Sequence, residues 1–432
     1  MSAYHKKRTQ ATTTGDLPLP IQDLTPADLQ EIVKSRFSSF CLALGIKTLM
    51  GLMDQDVEAI AGPKGKHNPN RTAYRHGYQK TTVPMGNQRL AITRPRVRSL
   101  DTGNELPIPS YEAFNNDDEL LYAALNRMLH GMSCRDYQRY GIEDYTDVTE
   151  TSGTAKSTIS HRFIKASAEE AQKVLSRRFD NESFPVLMID GVGFGDYTAI
   201  VVLGITGEGH KIIMGVRIGS TENAQVCHDL LTDLIDRGLQ YEDGLLAVID
   251  GSKALRKALK DVFQTKVLIQ RCQVHKMRNV LDYLPDYKRS LLKRQLRQAW
   301  TSESAENAIS KLRGLASAME TAHPDAASSL REGLEETATI LRLNIPGLLK
   351  KSLRSTNPIE SAFSLVAKNI KNVKNWKNGK MVQRWACVAL LDAERRANRI
   401  AGYRSMSVLI SEIQRLTSDD KLRKVEKESI IA

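Results

Sequence analysis

Three acidic residues lie in sequence contexts where carboxylates commonly bind ligands or take part in catalysis. Asp190 and Asp250 each close a short β-branched run, LMID and AVID, and each is followed by glycine. An aspartate at the carboxyl end of a buried strand lies where α/β folds bind ligands, and the glycine lets the chain turn sharply. Glu360 stands in STNPIESAF, three residues after Asn357. Carboxylates gathered in this way can hold the divalent cations that stabilise both the attacking and the leaving oxygen in phosphodiester cleavage.

Each acid also has a structural interpretation. Asp-Gly is a hairpin signal, and Asp190 precedes another predicted strand. Asp250 precedes SKALRKALK, which is typical of a helix, so a hairpin does not account for it. Glu360 can complete a capping box, with Asn357 at the cap and Pro358 in the first helical position. The repeated strand-aspartate-glycine pattern favours chemistry. So do the surroundings of Glu360, the only acid among nine basic residues: Lys350, Lys351, Arg354, Lys368, Lys371, Lys374, Lys377, Lys380 and Arg384.

The charge balance favours a polyanionic partner. Among 432 residues, 62 are Lys or Arg and 50 are Asp or Glu, which gives a net charge of +12. Such a surplus suits nucleic acid or an anionic membrane surface. The apolar stretch around Tyr197 to Ile205 is about half of the roughly 20 residues that a spanning helix needs, and no secretory signal is visible. Five scattered cysteines suit a reducing cytoplasm. We expect a cytoplasmic protein without a membrane partner.

The element pattern predicts an α/β fold. Three β-branched runs follow one another from Phe184, and helix, strand, helix and strand come next, which predicts a mixed sheet covered by helices. Residues 62–80 are typical of a loop, and residues 82–97 of two short strands around Gly86-Asn87. The predicted segments are a disordered tail (1–25), an amino-terminal DNA-binding region (26–110), a helical, helix-turn-helix-like DNA-binding domain (111–180), the first part of a catalytic core (181–283), an all-α insertion (284–350), and the second part of the core with carboxyl-terminal helices (351–432).

A basic window near the amino terminus is the first candidate for nucleic-acid contact. Residues 64–98 contain nine basic residues and no acid. Tyr74, His76 and Tyr78 are interleaved among the charges, which favours nucleic-acid contact over a solvated basic loop. SGTAKSTISHRF offers caps before a long helix, in the style of a recognition helix, although ordinary helical packing explains it nearly as well. The candidate DNA contacts in the basic window are Arg71, Arg75, Arg94 and Arg96.

The segment QRCQVHKMRNVL, residues 270–281, points to a family. It resembles the Cys-x-x-His signature of mutator-type transposases from bacterial insertion sequences, and it follows the second aspartate as it does in that family. LMIDG, VIDG and TNPIES match the local motifs of the family's three catalytic acids. YRHGY, ITRPRVRS and GMSCRDY extend the resemblance over roughly residues 65–395. It implies an RNase H-like core interrupted by a helical insertion.

The resemblance also implies an activity. A transposase of this type binds the terminal inverted repeats of its element and catalyses cleavage and strand transfer on double-stranded DNA. Asp190, Asp250 and Glu360 would hold two Mg²⁺ or Mn²⁺ ions in each active site. A homodimer or larger assembly and a circular intermediate are further expectations. Two alternatives stay open: a transposase-derived DNA-binding protein without catalysis, and an RNase H-like nuclease that cuts without joining.

Further residues are expected to support the site or to contact DNA. Cys272 and His275 form half of a zinc motif, but no second Cys/His pair lies nearby in the sequence, so packing beside the active site is favoured. Asn357, at the start of the helix that carries Glu360, is expected to support the site with them. The candidate phosphate contacts are Arg271, Lys276, Arg278, Lys368, Lys371 and Lys374.

Overall fold

The chain is described by a computed structural model, which covers residues 26–66, 69–145, 149–219 and 224–418, with the backbone alone for residues 26–36. The predicted tail, residues 1–25, lies outside the described residues. The chain divides into two compact units. The first reaches to Met128 and includes Met132–Ala166, and the second comprises Leu129–Gly131 and the chain from Ser167 onwards.

The first unit combines a long helix with a small antiparallel sheet. Its elements are α1 (Pro26–Ala61), β1 (Ala73–Met85), β2 (Gln88–Ser99), β3 (Glu105–Leu106), α2 (Pro109–Phe114), α3 (Asp118–Leu129), α4 (Cys134–Tyr140), β4 (Thr151–Ser152) and α5 (Lys156–Leu175), which continues into the second unit. The sheet has the order β1-β2-β3, and β4 pairs with β2. Ser133 caps α4 through its side chain, as its position in the sequence indicates.

The predicted hairpin around Gly86-Asn87 is confirmed. Both residues have positive φ, 60° and 67°, which suits the two-residue turns that join twisted antiparallel strands. The predicted loop at residues 62–80 is wrong in its second half, because β1 already begins at Ala73. A register shift between Arg75 and Tyr78 interrupts the pairing there, so the alternation that would have indicated a strand is broken in the sequence.

The long helix α1 contains an apolar stretch. The stretch Phe37–Ala61 is long and apolar enough to cross a membrane, by length and composition only. A core helix passes the same test, and part of this one has that role. Leu49, Met53 and Val57 are almost fully buried in a cluster with apolar side chains of β1 and β2, such as Val83. The stretch is therefore weak evidence for a membrane span.

The second unit carries the acids. Its elements are β5 (Val186–Phe194), β6 (Tyr197–Ile205), β7 (Lys211–Gly219), α6 (Ala224–Asp236), β8 (Leu245–Ile249), α7 (Lys253–Phe263), β9 (Val267–Arg271), α8 (Gln273–Asp282), α9 (Asp286–Trp300), α10 (Ala305–Met319), α11 (Pro324–Arg331), α12 (Thr339–Arg342), α13 (Gly347–Leu353), α14 (Asn357–Ile370), α15 (Gly379–Arg395) and α16 (Met406–Ser418). Three successive strands are followed by helix, strand, helix and strand, as predicted.

These strands form one mixed sheet with the order β7-β6-β5-β8-β9. β5, β6 and β7 are antiparallel neighbours, whereas β8 runs parallel to both β5 and β9. All five residues of β8 are buried, as expected for a parallel strand that is covered on both faces. α6 and α7 bury Leu231 and Leu259 in the same core as Ile189 and Ile249. The prediction of a mixed α/β fold is confirmed.

The chain between the sheet and α14 is helical and has a core of its own. Residues 284–350 contain helices and turns but no strand among the described residues, as the sequence predicted. Leu296, Leu312 and Leu330, from α9, α10 and α11, are buried in one apolar cluster that also includes Val280 of α8. Trp300 closes this cluster and donates its indole N–H to Thr337 Oγ1 at 3.0 Å. The segment therefore packs on itself.

A side-chain pair satisfies part of the outer edge of the sheet at β7. Glu394 of α15 accepts a hydrogen bond from the backbone N–H of Ile213 at 2.6 Å, and Arg177 donates to the Ile213 carbonyl at 3.0 Å. Arg177 and Glu394 also form a two-pronged ion pair at 2.9 and 3.0 Å. Together they satisfy the backbone polar groups of Ile213, which face away from β6 on this edge strand.

We expect Glu394→Ala to lower the free energy of unfolding by about 2–3 kcal/mol, because it removes the carboxylate that pairs with Arg177 and leaves the Ile213 N–H without its acceptor. The neighbouring exposed ion pair of Arg395 with Glu170 is the control. Arg395→Ala should cost less than about 1 kcal/mol. Urea denaturation of both variants measures the difference, and equal midpoints would contradict the role given to Glu394.

Candidate active site

The two aspartates are neighbours because of one strand pairing. β5 and β8 run parallel in a register that pairs Ile189 with Ile249. Asp190 and Asp250 are the residues that follow this pair along β5 and at the end of β8. Neighbouring strands lie about 4.8 Å apart. Asp250 directly follows the end of β8, as predicted, and Gly251 has φ 121°, which favours glycine. Ser252 then caps α7, so the chain leaves the sheet at once.

The position of Asp190 within its strand differs from the prediction. Asp190 does not end β5, which continues to Phe194 and turns at Gly195, where φ is 61°. The Asp-Gly dipeptide is therefore not a turn, and the hairpin interpretation of Asp190 is wrong. Asp190 nevertheless lies beside the carboxyl end of β8, because β8 is the shorter of the two parallel strands. Its side chain is only 7% exposed.

Glu360 comes to the same region on α14, which packs against β5. The helix begins at Asn357, with Thr356 at the cap position and no side-chain hydrogen bond to the helix start. The predicted capping box with Asn357 at the cap does not form. Instead, Glu360 Oε1 accepts a hydrogen bond from Thr356 Oγ1 at 2.9 Å. Its side chain keeps 30% exposure, which leaves carboxylate oxygen free for a ligand.

The electrostatics of Asp190 indicate how close these negative groups are. The pKa of Asp190 is raised to about 7, first by burial and then by the charges of Asp250 and Glu360. The Gly191 N–H, which donates to Asp190 Oδ1 at 2.8 Å, acts in the opposite direction. Asp250 is held in a similar way, by the Ser252 N–H at 2.9 Å. A buried carboxylate beside two others binds a proton readily, and a divalent cation removes the same repulsion.

Cys272 and His275 connect the start of α8 to the start of α14. The Cys272 sulfur accepts hydrogen bonds from the His275 N–H and the Thr356 N–H, each at 3.4 Å, and it also lies 3.4 Å from the Thr356 hydroxyl oxygen. Thr356 Oγ1 also lies 3.3 Å from His275 Nδ1, and His275 Nε2 lies 3.9 Å from Glu360 Oε1. The Cys-x-x-His motif thus fixes the residue that in turn orients Glu360.

The proton affinities of the two side chains change in opposite directions. Burial acts to raise the pKa of Cys272, but hydrogen bonds from His275 and Thr356 outweigh it and the pKa is lowered. The hydrogen bond with Cys272 raises the pKa of His275 to about 9, and the nearby charges of Asp190 and Glu360 act in the same direction. A protonated His275 therefore adds a positive charge next to Glu360.

One group of possible metal ligands lies close together. Among the described residues, ligand atoms of Cys272, His275 and Glu360 lie within 4.8 Å of one another, a mixed set that would suit zinc. The sulfur of Cys272 is fully buried and already accepts hydrogen bonds from two backbone N–H groups, which argues against that use. The ligand atoms of Asp190, Asp250 and Glu360 do not all lie within that distance of one another. These three side chains offer only carboxylate oxygen, the donor that magnesium and manganese prefer.

Thr356 is a member of the candidate site that was not predicted from the sequence. Asn357 was the expected support, but it is exposed, and no hydrogen bond of its side chain is found within the described part of the chain. Thr356, one position earlier, is fully buried and contacts Cys272, His275 and Glu360. The signal was present in STNPIE, because a threonine just before Asn-Pro can lie beside a helix start.

Arg271 and Lys276 have a structural role that differs from the predicted phosphate contacts. Arg271 is 5% exposed and Lys276 is fully buried. Lys276 Nζ donates to the carbonyls of Ser329 and Glu332 at 2.6 Å, and Arg271 donates to the same Glu332 carbonyl at 2.9 Å. Both cations satisfy carbonyl groups at the end of α11. Burial, together with the charge of Arg271, lowers the pKa of Lys276 to about 8.

The remaining candidate contacts of the second unit are exposed. Arg278 lies on the outer face of α8, and Lys368, Lys371 and Lys374 lie on the last turns of α14 and the loop after it. Trp376 anchors this loop by packing edge-on against Phe194, with 5.3 Å between ring centroids. The lysines are therefore carried by a segment that the sheet fixes in place.

The four arginines of the first unit that were predicted to contact DNA differ in their partners within the protein. Arg71 is exposed, whereas Arg75 donates to the Gly62 carbonyl at 3.1 Å. Arg94 and Arg96 share the carboxylate of Glu105 on β3, at 3.0 and 2.7 Å. The basic window contains no acid in sequence, but the fold brings one to it. Part of its positive charge is thus neutralised within the protein.

We expect Lys276→Met to lower the free energy of unfolding by about 3 kcal/mol, because two carbonyls lose a charged donor. A lowered pKa means that the folded state releases the proton first, so the wild type should gain stability over the variant as pH rises from about 8 towards about 10. The exposed Arg278→Ala is the control and should change stability by less than about 0.5 kcal/mol. Urea denaturation across that pH range checks both statements; equal losses would contradict the burial of Lys276.

Comparison with known proteins agrees with the motifs. The sequence model of the family described as "Transposase, Mutator family" matches residues 39–398. The chain is similar to the transposase for insertion sequence element ISRM5 of Rhizobium meliloti (strain 1021), with 28% identity over 70% of this chain and 74% of that protein. It is also similar to the transposase for IS905 of Lactococcus lactis, with 26% identity over 77% and 84%. The chain belongs to the Mutator family of transposases.

Proposed function

We propose that this transposase binds the terminal inverted repeats of an insertion sequence and catalyses both DNA cleavage and strand transfer with Asp190, Asp250 and Glu360. The observation that supports this most is the register of β5 and β8, which makes the two aspartates neighbours at the exit of the parallel pair. The packing of α14 on β5 brings Glu360 into the same region, where its charge acts on Asp190.

The chemistry of the carboxylates fits a pair of Mg²⁺ or Mn²⁺ ions. When bound, such ions stabilise the attacking and leaving oxygens of an in-line displacement at phosphorus. Asp190 is the buried member of the set, and its pKa is raised first by burial and then by the charges of Asp250 and Glu360, effects that a bound cation would offset. Asp250 and Glu360 are each oriented by a hydrogen bond from Ser252 and Thr356 respectively. The chain itself thus holds its acids in fixed directions.

Basic residues near the acids would hold the DNA backbone. Lys368, Lys371 and Lys374 are exposed on the carboxyl-terminal part of α14 and the following loop, and Arg278 is exposed on the helix that begins with His275. Phosphate contacts of this kind position a duplex without reading its sequence. The proposal includes both terminal repeats and target DNA as partners, a homodimer that pairs two ends, and action on the nucleoid in the cytoplasm.

The sheet supports an RNase H-like core as part of the proposal. Counting from β5, the strands lie in the order 3-2-1-4-5, with the second strand antiparallel to the others around it. The helical segment from α9 to α13 lies in sequence between β9, the last strand, and α14, which carries Glu360. In this interpretation the segment is an insertion that interrupts the core. Its separate apolar cluster is consistent with that.

Asp190→Asn, Asp250→Asn and Glu360→Gln should each lower strand transfer about a thousandfold or more, because each removes a charge on which the metal site depends. Binding to the terminal repeat should remain. Asp261→Asn, an exposed acid on α7, is the matched control and should keep full activity. The assay uses pre-cleaved element ends and a target plasmid, with Mg²⁺, with Mn²⁺ and with chelator.

The outcomes separate the proposal from its alternatives. Parental rates in the Asp250→Asn variant would exclude catalysis by this acid. A wild type that binds the terminal repeat but neither cuts nor joins it would leave a DNA-binding protein. Cleavage without any joined product in the wild type would favour a nuclease. Amplification across abutted element ends in expressing cells tests the circular intermediate, and its consistent absence would argue for direct excision.

Thr356→Val should lower strand transfer about tenfold to a hundredfold, because Glu360 loses the hydroxyl that orients it. Valine has nearly the same shape, so the folded structure should persist. Thr356→Ser keeps the hydroxyl and should restore most of the activity. The readout that distinguishes orientation from a general fault is the Mg²⁺ concentration for half-maximal rate, which should rise in the valine variant alone. Equal Mg²⁺ dependence in both variants would remove Thr356 from the site.

A further inference from the structure

The helical segment exposes large apolar side chains on one helix. On α9, Tyr287 is 77% exposed and Leu291 is 50% exposed, and Tyr283, in the turn before the helix, is 56% exposed. The opposite side of α9 is buried, with Leu292 and Leu296 in the core of the segment. These exposed residues are not needed by that core. The outer α9 face is defined here as Tyr287, Ser290, Leu291, Arg294, Arg297 and Gln298, which helical spacing brings to one side.

The charge of this face is strongly positive. Arg294 and Arg297 lie on it, Lys293 lies at its border, and all three are exposed. In the described part of the chain, no carboxylate forms an ion pair with any of them. Asp286 pairs with Arg289 at 2.9 Å, the exposed Asp282 lies before the turn, and Glu303 and Glu306 follow the end of α9. None of these four acids forms an ion pair with Lys293, Arg294 or Arg297.

The outer α9 face continues from the active site along the chain. His275, Arg278 and Asp282 share the partly open side of α8, since they are spaced by three and four residues. Tyr283 follows at the end of α8, and α9 begins three residues later. From His275 to Tyr283 a helix rises about 12 Å. That length corresponds to about three to four base pairs of duplex DNA.

We infer that the outer α9 face binds the backbone of double-stranded DNA on one side of the reacting phosphate. Arg294, Arg297 and Lys293 supply charge for phosphate oxygens, and the hydroxyl of Tyr287 can donate to another. A second copy of the chain is less suited to this face, because the same face of the partner would add three more cations and no acid to pair them. The inference rests on the proposed function in one respect, that the partner is DNA.

The test compares two double variants with equal loss of charge, each made in the Asp250→Asn background so that binding is measured without cleavage. Arg294→Ala with Arg297→Ala removes cations from the outer α9 face. Lys311→Ala with Arg313→Ala removes two exposed cations of α10 that already bind Ser302 and Glu335. The probe is a duplex that carries the terminal repeat, and a duplex of unrelated sequence is used beside it.

The α9 variant should bind both duplexes about tenfold to a hundredfold more weakly, and the slope of log affinity against log salt should fall by about 2. The α10 variant should change affinity less than about threefold. Equal affinities and slopes for both variants would overturn the inference, even with a wild type that joins ends. A changed oligomeric mass with unchanged DNA binding would show a contact between copies instead. Failure of the proposed function is separate, because it appears as a wild type that binds but joins nothing.

Tyr287→Phe with the α9 cations intact tests the hydroxyl contact. Affinity should fall about threefold to tenfold, because one neutral hydrogen bond to phosphate is lost. Circular dichroism melting should match the parent for all these variants, since the substituted side chains are exposed. A lower melting temperature with the same loss in both double variants would point to unfolding and would overturn the assignment to this face.

Discussion

The parallel register of β5 and β8 is the constraint on which the rest of the site depends. It aligns Ile189 with Ile249, so that the two aspartates follow as neighbours. A shift of one residue would point one of the two side chains to the opposite face of the sheet. The buried, branched side chains of β8, with helices on both sides, hold that register. Glu360 depends on it in turn, because α14 packs on β5.

Polar contacts then orient the acid side chains that the strand register brings together. Thr356 is the link, since it bonds Glu360 and also the Cys272 sulfur at the start of α8. The short loop before α14 and the end of β9 are thereby joined by buried side chains rather than by strand pairing. Lys276 and Arg271 make a further connection of this kind, because their side chains donate to backbone carbonyls at the end of α11. A motif that first suggests metal or phosphate binding thus also serves as a structural connection.

Much of the sheet and of the acid set could be predicted from local sequence, and the rest depended on long-range contacts. The β-branched runs and the Asp-Gly pairs indicated the strands and located Asp250 correctly. They misplaced the turn after Asp190, because the relative length of β5 and β8 is set by pairing. Arg94 and Arg96 looked free, and only the fold brings Glu105 to them. Lys276 looked like a surface cation for the same reason: nothing in its neighbourhood along the chain predicts that α11 covers it.

The late position of Glu360 has a consequence during synthesis. The two aspartates and the whole sheet are complete by Arg271, whereas the glutamate follows only after the self-packed helices. Domains fold as the chain emerges, beginning at the amino terminus. A nascent chain that stops before α14 contains both aspartates, but it lacks the helices α14 and α15 that pack on β5 and β7. Under the proposed function it also lacks the third metal ligand, so the acid set is complete only after α14 has been synthesised.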